Sequence, residues 1–126
     1  MFERPAEKRN FTSNFGTKRV LVDINNGNHY YTQMIKSFKC KETEKIANYR
    51  FSKKLPQSIQ RTALKKLILI KRSKNLNDLR VPPSNYLEAL SGNRQGQYGL
   101  RINDQWRICF VWKDCDAYDV EIVDYH

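Results

Sequence analysis

Residues 98–112 read YGLRINDQWRICFVW, and this stretch decides the fold. Apolar residues occupy every second position on both sides of residues 103–105, which is the pattern of two half-buried strands joined by a short loop. The alternating residues are Tyr98, Leu100 and Ile102 before the loop and Trp106, Ile108, Phe110 and Trp112 after it. The same alternation returns at Tyr118, Val120 and Ile122. We therefore predict an antiparallel sheet in the last third of the chain.

Two arginines face each other in this hairpin. The register that puts all the apolar residues on one face places Arg101 directly opposite Arg107 on the other face. Like charges opposite each other are destabilising in a sheet, whereas two guanidinium groups together bind an oxyanion well. Gly99 and Cys109 lie behind the arginines, and their small size predicts a shallow concavity. The residues alone leave two interpretations open, a phosphate site or two arginines that splay apart into water.

The chain closes with Asp124, Tyr125 and His126, directly after the last predicted strand. This strand should lie antiparallel beside residues 106–112, with Tyr118 opposite Trp112 and Val123 opposite Arg107. Alternation then puts Tyr125 on the arginine side of the sheet and Asp124 on the apolar side. His126 follows the last paired residue and is free to take either side. An imidazole there suits proton transfer near neutral pH, although a terminal histidine is also typical of a frayed end.

Two helices are predicted upstream of the sheet. Residues 56–74 carry apolar side chains at helical spacing and gather positive charge towards their end, where the helix dipole favours it. Residues 41–50 contain no Gly or Pro and carry Glu42 and Glu44 near their start, as a helix N-terminus prefers. Residues 35–38 alternate like an edge strand, and residues 86–90 suit a short strand. This order predicts an α+β fold with both helices on one face of a small antiparallel sheet.

The 126-residue chain has the composition of one folded domain, with 40% hydrophobic and 29% charged residues. Its longest aliphatic run, residues 67–70, is far too short to span a membrane. Three cysteines without CxxC spacing argue against a structural zinc site, and free thiols fit a reducing cytoplasm. The net charge of +10 favours a polyanionic partner, nucleic acid before an anionic membrane.

Residues 1–33 differ from the rest of the chain. They contain polar clusters and no sustained periodicity, and their one apolar stretch predicts a single weak strand at 20–23. Five basic and three acidic residues here leave +8 of the charge to residues 34–126. We therefore predict that residues 1–33 are a poorly ordered extension and that residues 34–126 form the functional domain.

Four segments of the chain read MIKSF at 34–38, LSGNRQG at 90–96, RINDQWRI at 101–108 and VEIVDYH at 120–126. Together they resemble the HigB-like toxins of the RelE superfamily. The resemblance implies a RelE-like fold and the toxin of a type II toxin–antitoxin system, an endoribonuclease that cleaves mRNA in the ribosomal A site. It also implies neutralisation by a HigA-like helix-turn-helix antitoxin, with operator DNA bound only through the complex of the two. Members commonly start at the position of Met34, so residues 1–33 are an appendage or the product of an upstream start assignment.

The resemblance also assigns roles to individual residues. Catalytic positions match Arg101, Arg107, Asp124, Tyr125 and His126, and RNA-binding positions match Arg94, Ser91 and Trp106. Some members have a lysine where this chain has Ser91, and Arg94 is the candidate to replace its charge. Attack by an RNA 2′-hydroxyl would use the arginines for the phosphorane charge and His126, oriented by Asp124, for proton transfer, without a metal or a cofactor. The alternative is a non-catalytic basic module of the same fold that binds nucleic acid or the antitoxin.

Overall fold

The computed structural model describes residues 10–15, 18–23, 28–32 and 35–125, the last range with its side chains. The N-terminal strands β1 (Asn10–Phe15), β2 (Lys18–Asp23) and β3 (Asn28–Thr32) form an antiparallel sheet in that order. The strand predicted at 20–23 lies within β2. The strands on either side of it were not predicted, because their sequences lack the alternation of a half-buried strand. The domain boundary between residues 33 and 34 stays a prediction.

Two helices and a four-stranded sheet follow. The helices are α1 (Lys41–Ala47) and α2 (Gln57–Arg72), both inside the predicted ranges. The strands are β4 (Glu88–Ala89), β5 (Tyr98–Arg101), β6 (Trp106–Lys113) and β7 (Asp116–Asp124), paired antiparallel in that order. The α+β class is therefore confirmed, whereas the RelE-like arrangement of the two helices stays a prediction. No helix among the described residues is long and apolar enough to cross a membrane.

The hairpin of β5 and β6 has the predicted register, with Arg101 opposite Arg107. The pairing of β6 with β7 was predicted correctly at one end only. Arg107 lies opposite Val123 as expected, but Trp112 pairs with Ala117 rather than with Tyr118. The register shifts between these ends, where β7 holds one more residue than β6. This is a β-bulge, and Asp119 within it has a positive φ of 52°.

Residues 35–38 lie along the free edge of β7, as the predicted edge strand should. They run parallel to β7 and pair with it through two isolated bridges, at Ile35 and Phe38. The Ser37 hydroxyl accepts a hydrogen bond of 2.9 Å from the backbone N–H of Asp119. The edge segment therefore satisfies the backbone group that the bulge leaves unpaired.

One hydrophobic core joins the helices to the sheet. Helix α2 buries Ile59, Ala63, Leu67 and Ile70, which recur at the three- to four-residue spacing of one helix face. The sheet contributes Leu100, Ile108, Phe110, Ala117, Val120 and Ile122 to the same core. Helix α1 is tied to β7 by the buried Thr43, whose hydroxyl accepts a 2.9 Å hydrogen bond from the backbone N–H of Ile122. Because the core covers one face of the sheet, the other face is left for polar side chains.

Candidate active site

The face of the sheet opposite the core carries Arg101 and Arg107, and we call it the arginine face. Alternation along the strands brings further side chains to it, because every second residue of a strand points to the same side. These are Glu88 on β4, Gly99 on β5, Cys109 on β6 and Glu121 on β7, which the register pairs in turn: Glu88 with Gly99, Gly99 with Cys109 and Cys109 with Glu121. The arginine face thus combines cations and carboxylates around a small buried thiol.

Arg107 lies between a carboxylate and an aromatic ring. Its Nη1 is 2.8 Å from Oε1 of Glu88, and its guanidinium carbon is 4.8 Å from the ring centre of Tyr125. The Nη1 atom is shielded from solvent, yet it makes no aligned hydrogen bond despite the short ion-pair distance. A buried guanidinium N–H that is charge-paired but not hydrogen-bonded retains its capacity to donate to an oxyanion.

Arg101 has a corresponding pair of partners. Its Nη2 forms an ion pair with Asp104 in the hairpin loop, and its guanidinium carbon lies 5.1 Å from the ring centre of Tyr86. Each arginine therefore has one carboxylate and one aromatic ring of its own. The carboxylates offset the repulsion that two facing cations would otherwise suffer. The Asp104 side chain is 94% exposed, so its ion pair with Arg101 is open to exchange with water or with another anion.

The hollow predicted behind the arginines is filled at Gly99. Gly99 does lie there, but a Cβ at this position would come within 3.3 Å of the Leu90 side chain, which already occupies the space. Gly99 therefore makes room for Leu90, and the prediction of an empty concavity at this point is wrong. Cys109 is fully buried beside it, and this burial raises the pKa of the Cys109 thiol. The floor of the site is consequently neutral and closely packed.

Arg94 borders the arginine face from the loop that follows β4. Its Nη1 donates to Oε2 of Glu121 at 3.1 Å and to Oε1 of Gln97 at 3.0 Å. Lys39 approaches the same Glu121 carboxylate at 3.8 Å. Ser91 is exposed at the start of this loop, where its carbonyl accepts a 3.1 Å hydrogen bond from the Arg94 backbone. Ser91 and Arg94, the two RNA-binding residues predicted in this loop, thus lie close together at the edge of the arginine face.

The C-terminal residues divide between the two faces as alternation requires. Tyr125 contacts Arg107 on the arginine face. Asp124 pairs with Trp106, so both belong to the core side of the sheet. Trp106 packs against the hydrophobic core, and the Asp124 carboxylate accepts a 3.1 Å hydrogen bond from Nε2 of Gln105. The structure therefore does not bring Asp124 or Trp106 to the arginines, and His126 lies outside the described residues.

Two residues of the site were missed in the sequence, Glu88 and Tyr86. They alternate with Leu87, which packs against the hydrophobic core, and therefore point to the arginine face. The available signal was the pairing of β4 with β5, because placing Glu88 opposite Gly99 would have put its carboxylate next to the arginines. No group of three His, Cys, Asp or Glu side chains in the described part of the chain could hold a metal ion.

Residues 36–126 match the model of a protein family described as the RelE-like toxin HigB of type II toxin–antitoxin systems. The chain belongs to the HigB-like toxin family. The matched range includes both arginines of the site, Glu88 and the C-terminal tripeptide. This confirms the family that the four sequence segments indicated.

Curated relatives of this HigB-like chain cover part of its length. It is 38% identical over 60 residues to Toxin HigB-1 of Vibrio cholerae, which is 48% of this chain and 63% of that protein. It is 36% identical over 61 residues to an uncharacterized protein of Haemophilus influenzae, 48% of this chain and 60% of that protein. The matches thus span somewhat less than two thirds of either relative. Among solved structures, a chain of the YoeB–YefM complex from Staphylococcus aureus has a TM-score of 0.44 and 20% identity, covering 74% of this chain and 98% of that one.

Proposed function

We propose that this HigB-like chain is an endoribonuclease toxin that cleaves mRNA in the ribosomal A site. The observation that carries the proposal is the arginine face, where Arg101 and Arg107 are cross-strand neighbours and Glu88 is 2.8 Å from Arg107. RNA cleavage by the adjacent 2′-hydroxyl requires a proton acceptor and fixed positive charge at the phosphorus. A carboxylate beside two guanidinium groups supplies both.

In the proposed reaction Glu88 accepts the proton of the 2′-hydroxyl, whose oxygen then attacks the neighbouring phosphorus. Arg107 and Arg101 stabilise the negative charge that builds up on the phosphoryl oxygens, which is where preorganised donors contribute most to rate. The phosphate would approach the partly exposed guanidinium of Arg107, whose Nη1 is paired with Glu88 at 2.8 Å. The bond to the 5′-oxygen breaks, and the products are a 2′,3′-cyclic phosphate and a 5′-hydroxyl. Positive charge from the arginines serves where other nucleases use a metal ion.

The C-terminal residues complete the proposal. His126 gives a proton to the departing 5′-oxygen. Asp124, the last residue of β7, holds the backbone that positions the His126 ring. Tyr125, which contacts Arg107 at 4.8 Å, stacks on a base or assists proton transfer. Arg94 and the loop of Ser91 hold the RNA backbone at the rim, and Arg94 provides charge that Ser91 cannot. Trp106 supports the β6 backbone rather than contacting the RNA, because its ring packs against the core.

We also propose that a HigA-like antitoxin neutralises this chain in the cytoplasm. Helix α2 offers a basic surface along its C-terminal half, where Lys65, Lys71 and Arg72 are exposed. An acidic segment of the antitoxin would bind there by charge attraction, which salt screens. Co-expression with the antitoxin encoded beside this chain should restore growth and give a complex that weakens as salt is raised. If both proteins are soluble but do not co-purify at low salt, the partner proposal is wrong.

Induction of the chain in growing cells tests the activity. The wild type should stop growth and produce new mRNA 5′ ends within codons, whereas Arg107→Ala should do neither at the same protein level. The matched control is Arg61→Ala on the exposed side of α2, which removes the same charge away from the site and should behave as the wild type. Growth arrest without new mRNA ends would refute cleavage. Wild-type cells that grow normally would favour the binding module instead.

A further inference from the structure

Tyr86 adopts a backbone conformation that its side chain does not favour. Its φ of 46° and ψ of 54° lie in the left-handed region, which a bulky residue rarely occupies. The residue is 57% exposed, so the conformation is not compensated by burial of the ring. Tyr86 ends the short 3₁₀ turn Pro83–Asn85, and this conformation sets the direction in which its exposed ring projects.

The preceding residue fixes Tyr86 to the body of the protein. Asn85 is fully buried, and its Nδ2 donates to the carbonyls of Leu79 at 3.0 Å and Val81 at 3.2 Å. Its Oδ1 accepts a hydrogen bond from the Lys66 ammonium of α2. The Tyr86 backbone N–H donates to the Pro83 carbonyl at 3.0 Å. An exposed ring is thus held on a well-anchored backbone, as a binding platform requires.

The ring of Tyr86 lies next to the phosphate site. The guanidinium of Arg101 covers it at 5.1 Å, Arg101 is the cross-strand neighbour of Arg107, and Glu88 follows Tyr86 by two residues on the same side of the chain. Arg101 is therefore shared between the proposed phosphate site and the tyrosine ring. Much of the ring's remaining surface is open to solvent.

We propose that Tyr86 is a nucleobase-stacking subsite, which binds the base of a nucleotide flanking the cleaved phosphate. The base would lie on the open side of the ring, so that base, Tyr86 and Arg101 form a three-layer stack. Aromatic stacking of this kind tolerates any base and contributes strongly to the binding of single-stranded RNA. Tyr86 is then a binding residue for the substrate, and the subsite rests on the proposed endoribonuclease function.

The test uses ribosomes programmed with an mRNA that carries 2-aminopurine at successive positions of the A-site codon. A 2′-O-methyl group at the attacking position blocks cleavage, and stacking quenches 2-aminopurine fluorescence. Wild-type protein should quench one position strongly. Tyr86→Leu should lose this quenching and weaken binding about 10-fold, while Tyr86→Phe and Tyr86→Trp should retain both. Tyr49→Leu is the matched control, since Tyr49 is also 74% exposed with a φ of 65° and should leave both values unchanged.

Cleavage of the unmodified mRNA by the same proteins separates the possible failures. If the wild type cleaves but Tyr86→Leu quenches, binds and cleaves as the wild type does, the stacking subsite is refuted and the proposed function stands. If Tyr86→Phe loses binding as fully as Tyr86→Leu, the hydroxyl matters rather than the ring, which also refutes stacking. If the wild type neither binds nor cleaves, both proposals fail.

Discussion

Replacing Asn85 by alanine should destabilise the protein by about 3 kcal/mol. The side chain is fully buried and makes two hydrogen bonds to carbonyls and one to the Lys66 ammonium. A neutral hydrogen bond contributes about 1 kcal/mol and one to a charged group about 2 kcal/mol, which gives a gross loss of about 4 kcal/mol. Val81 is 69% exposed, so its carbonyl regains water and part of that loss is recovered. The carbonyl of the buried Leu79 has no such access.

Urea unfolding followed by circular dichroism measures this free energy. With an m-value of about 1.5 kcal/mol/M, the midpoint of Asn85→Ala should fall by about 2 M while the slope stays unchanged. Asn48→Ala is the control, because Asn48 is exposed and should shift the midpoint very little. A loss of less than about 1 kcal/mol for Asn85→Ala would mean that these hydrogen bonds do not hold the loop. The anchoring of Tyr86 would then lose its basis.

Three further predictions concern other parts of the molecule. Burial raises the pKa of the Cys109 thiol, so iodoacetamide at pH 8 should modify Cys109 much more slowly than the half-buried Cys115. Equal rates of modification would show that the arginine face opens readily. A hydrogen bond from the Ser52 hydroxyl lowers the pKa of the Glu42 carboxyl below its ordinary 4.5. The ionised carboxylate therefore stabilises the folded protein above pH 4.5, and this stabilisation is lost as the pH falls through the lowered pKa. The difference in the free energy of unfolding between the wild type and Glu42→Gln should therefore shrink below pH 4.5. A difference that stays constant with pH would show that Ser52 does not stabilise the ionised Glu42. Deletion of residues 1–33 should leave the melting temperature and the growth arrest intact, and an aggregated or inactive product would show that the extension is required.

The register of the arginine hairpin could be predicted because a shift by one residue would expose every apolar side chain of the hairpin. Arg101 and Arg107 had to face each other on the opposite side. The β-bulge at Asp119 could not be predicted in the same way. A positive φ usually selects glycine, but aspartate tolerates it too, and here the Ser37 hydroxyl of the edge segment binds the Asp119 backbone N–H.

Two errors of prediction at the site, at Glu88 and at Gly99, have a common physical origin. Glu88 lies on a strand of two residues, which is too short to show alternation by itself. Gly99 was interpreted from its own small size, whereas the space beside it is occupied by the side chain of Leu90, which directly follows β4. Alternation within β7 predicted that Asp124 lies on the core side, where the structure has it, and the catalytic role that the resemblance implies for it stays a prediction. For Glu88 and Gly99, contacts between neighbouring strands, rather than the pattern within one strand, determine what surrounds each residue.

The rate of the chemical step in Arg107→Ala tests the central claim most directly. Single-turnover cleavage is measured with saturating protein on ribosomes programmed with a defined mRNA, and binding is measured separately. If Arg107 stabilises charge in the transition state, the variant should cleave about 10² to 10³ times more slowly while its dissociation constant rises less than about 10-fold. The wild-type products should carry 2′,3′-cyclic phosphate ends. Equal cleavage rates at saturation, with only the binding and its salt dependence weakened, would contradict the account and make the arginine face a site that binds RNA without cutting it.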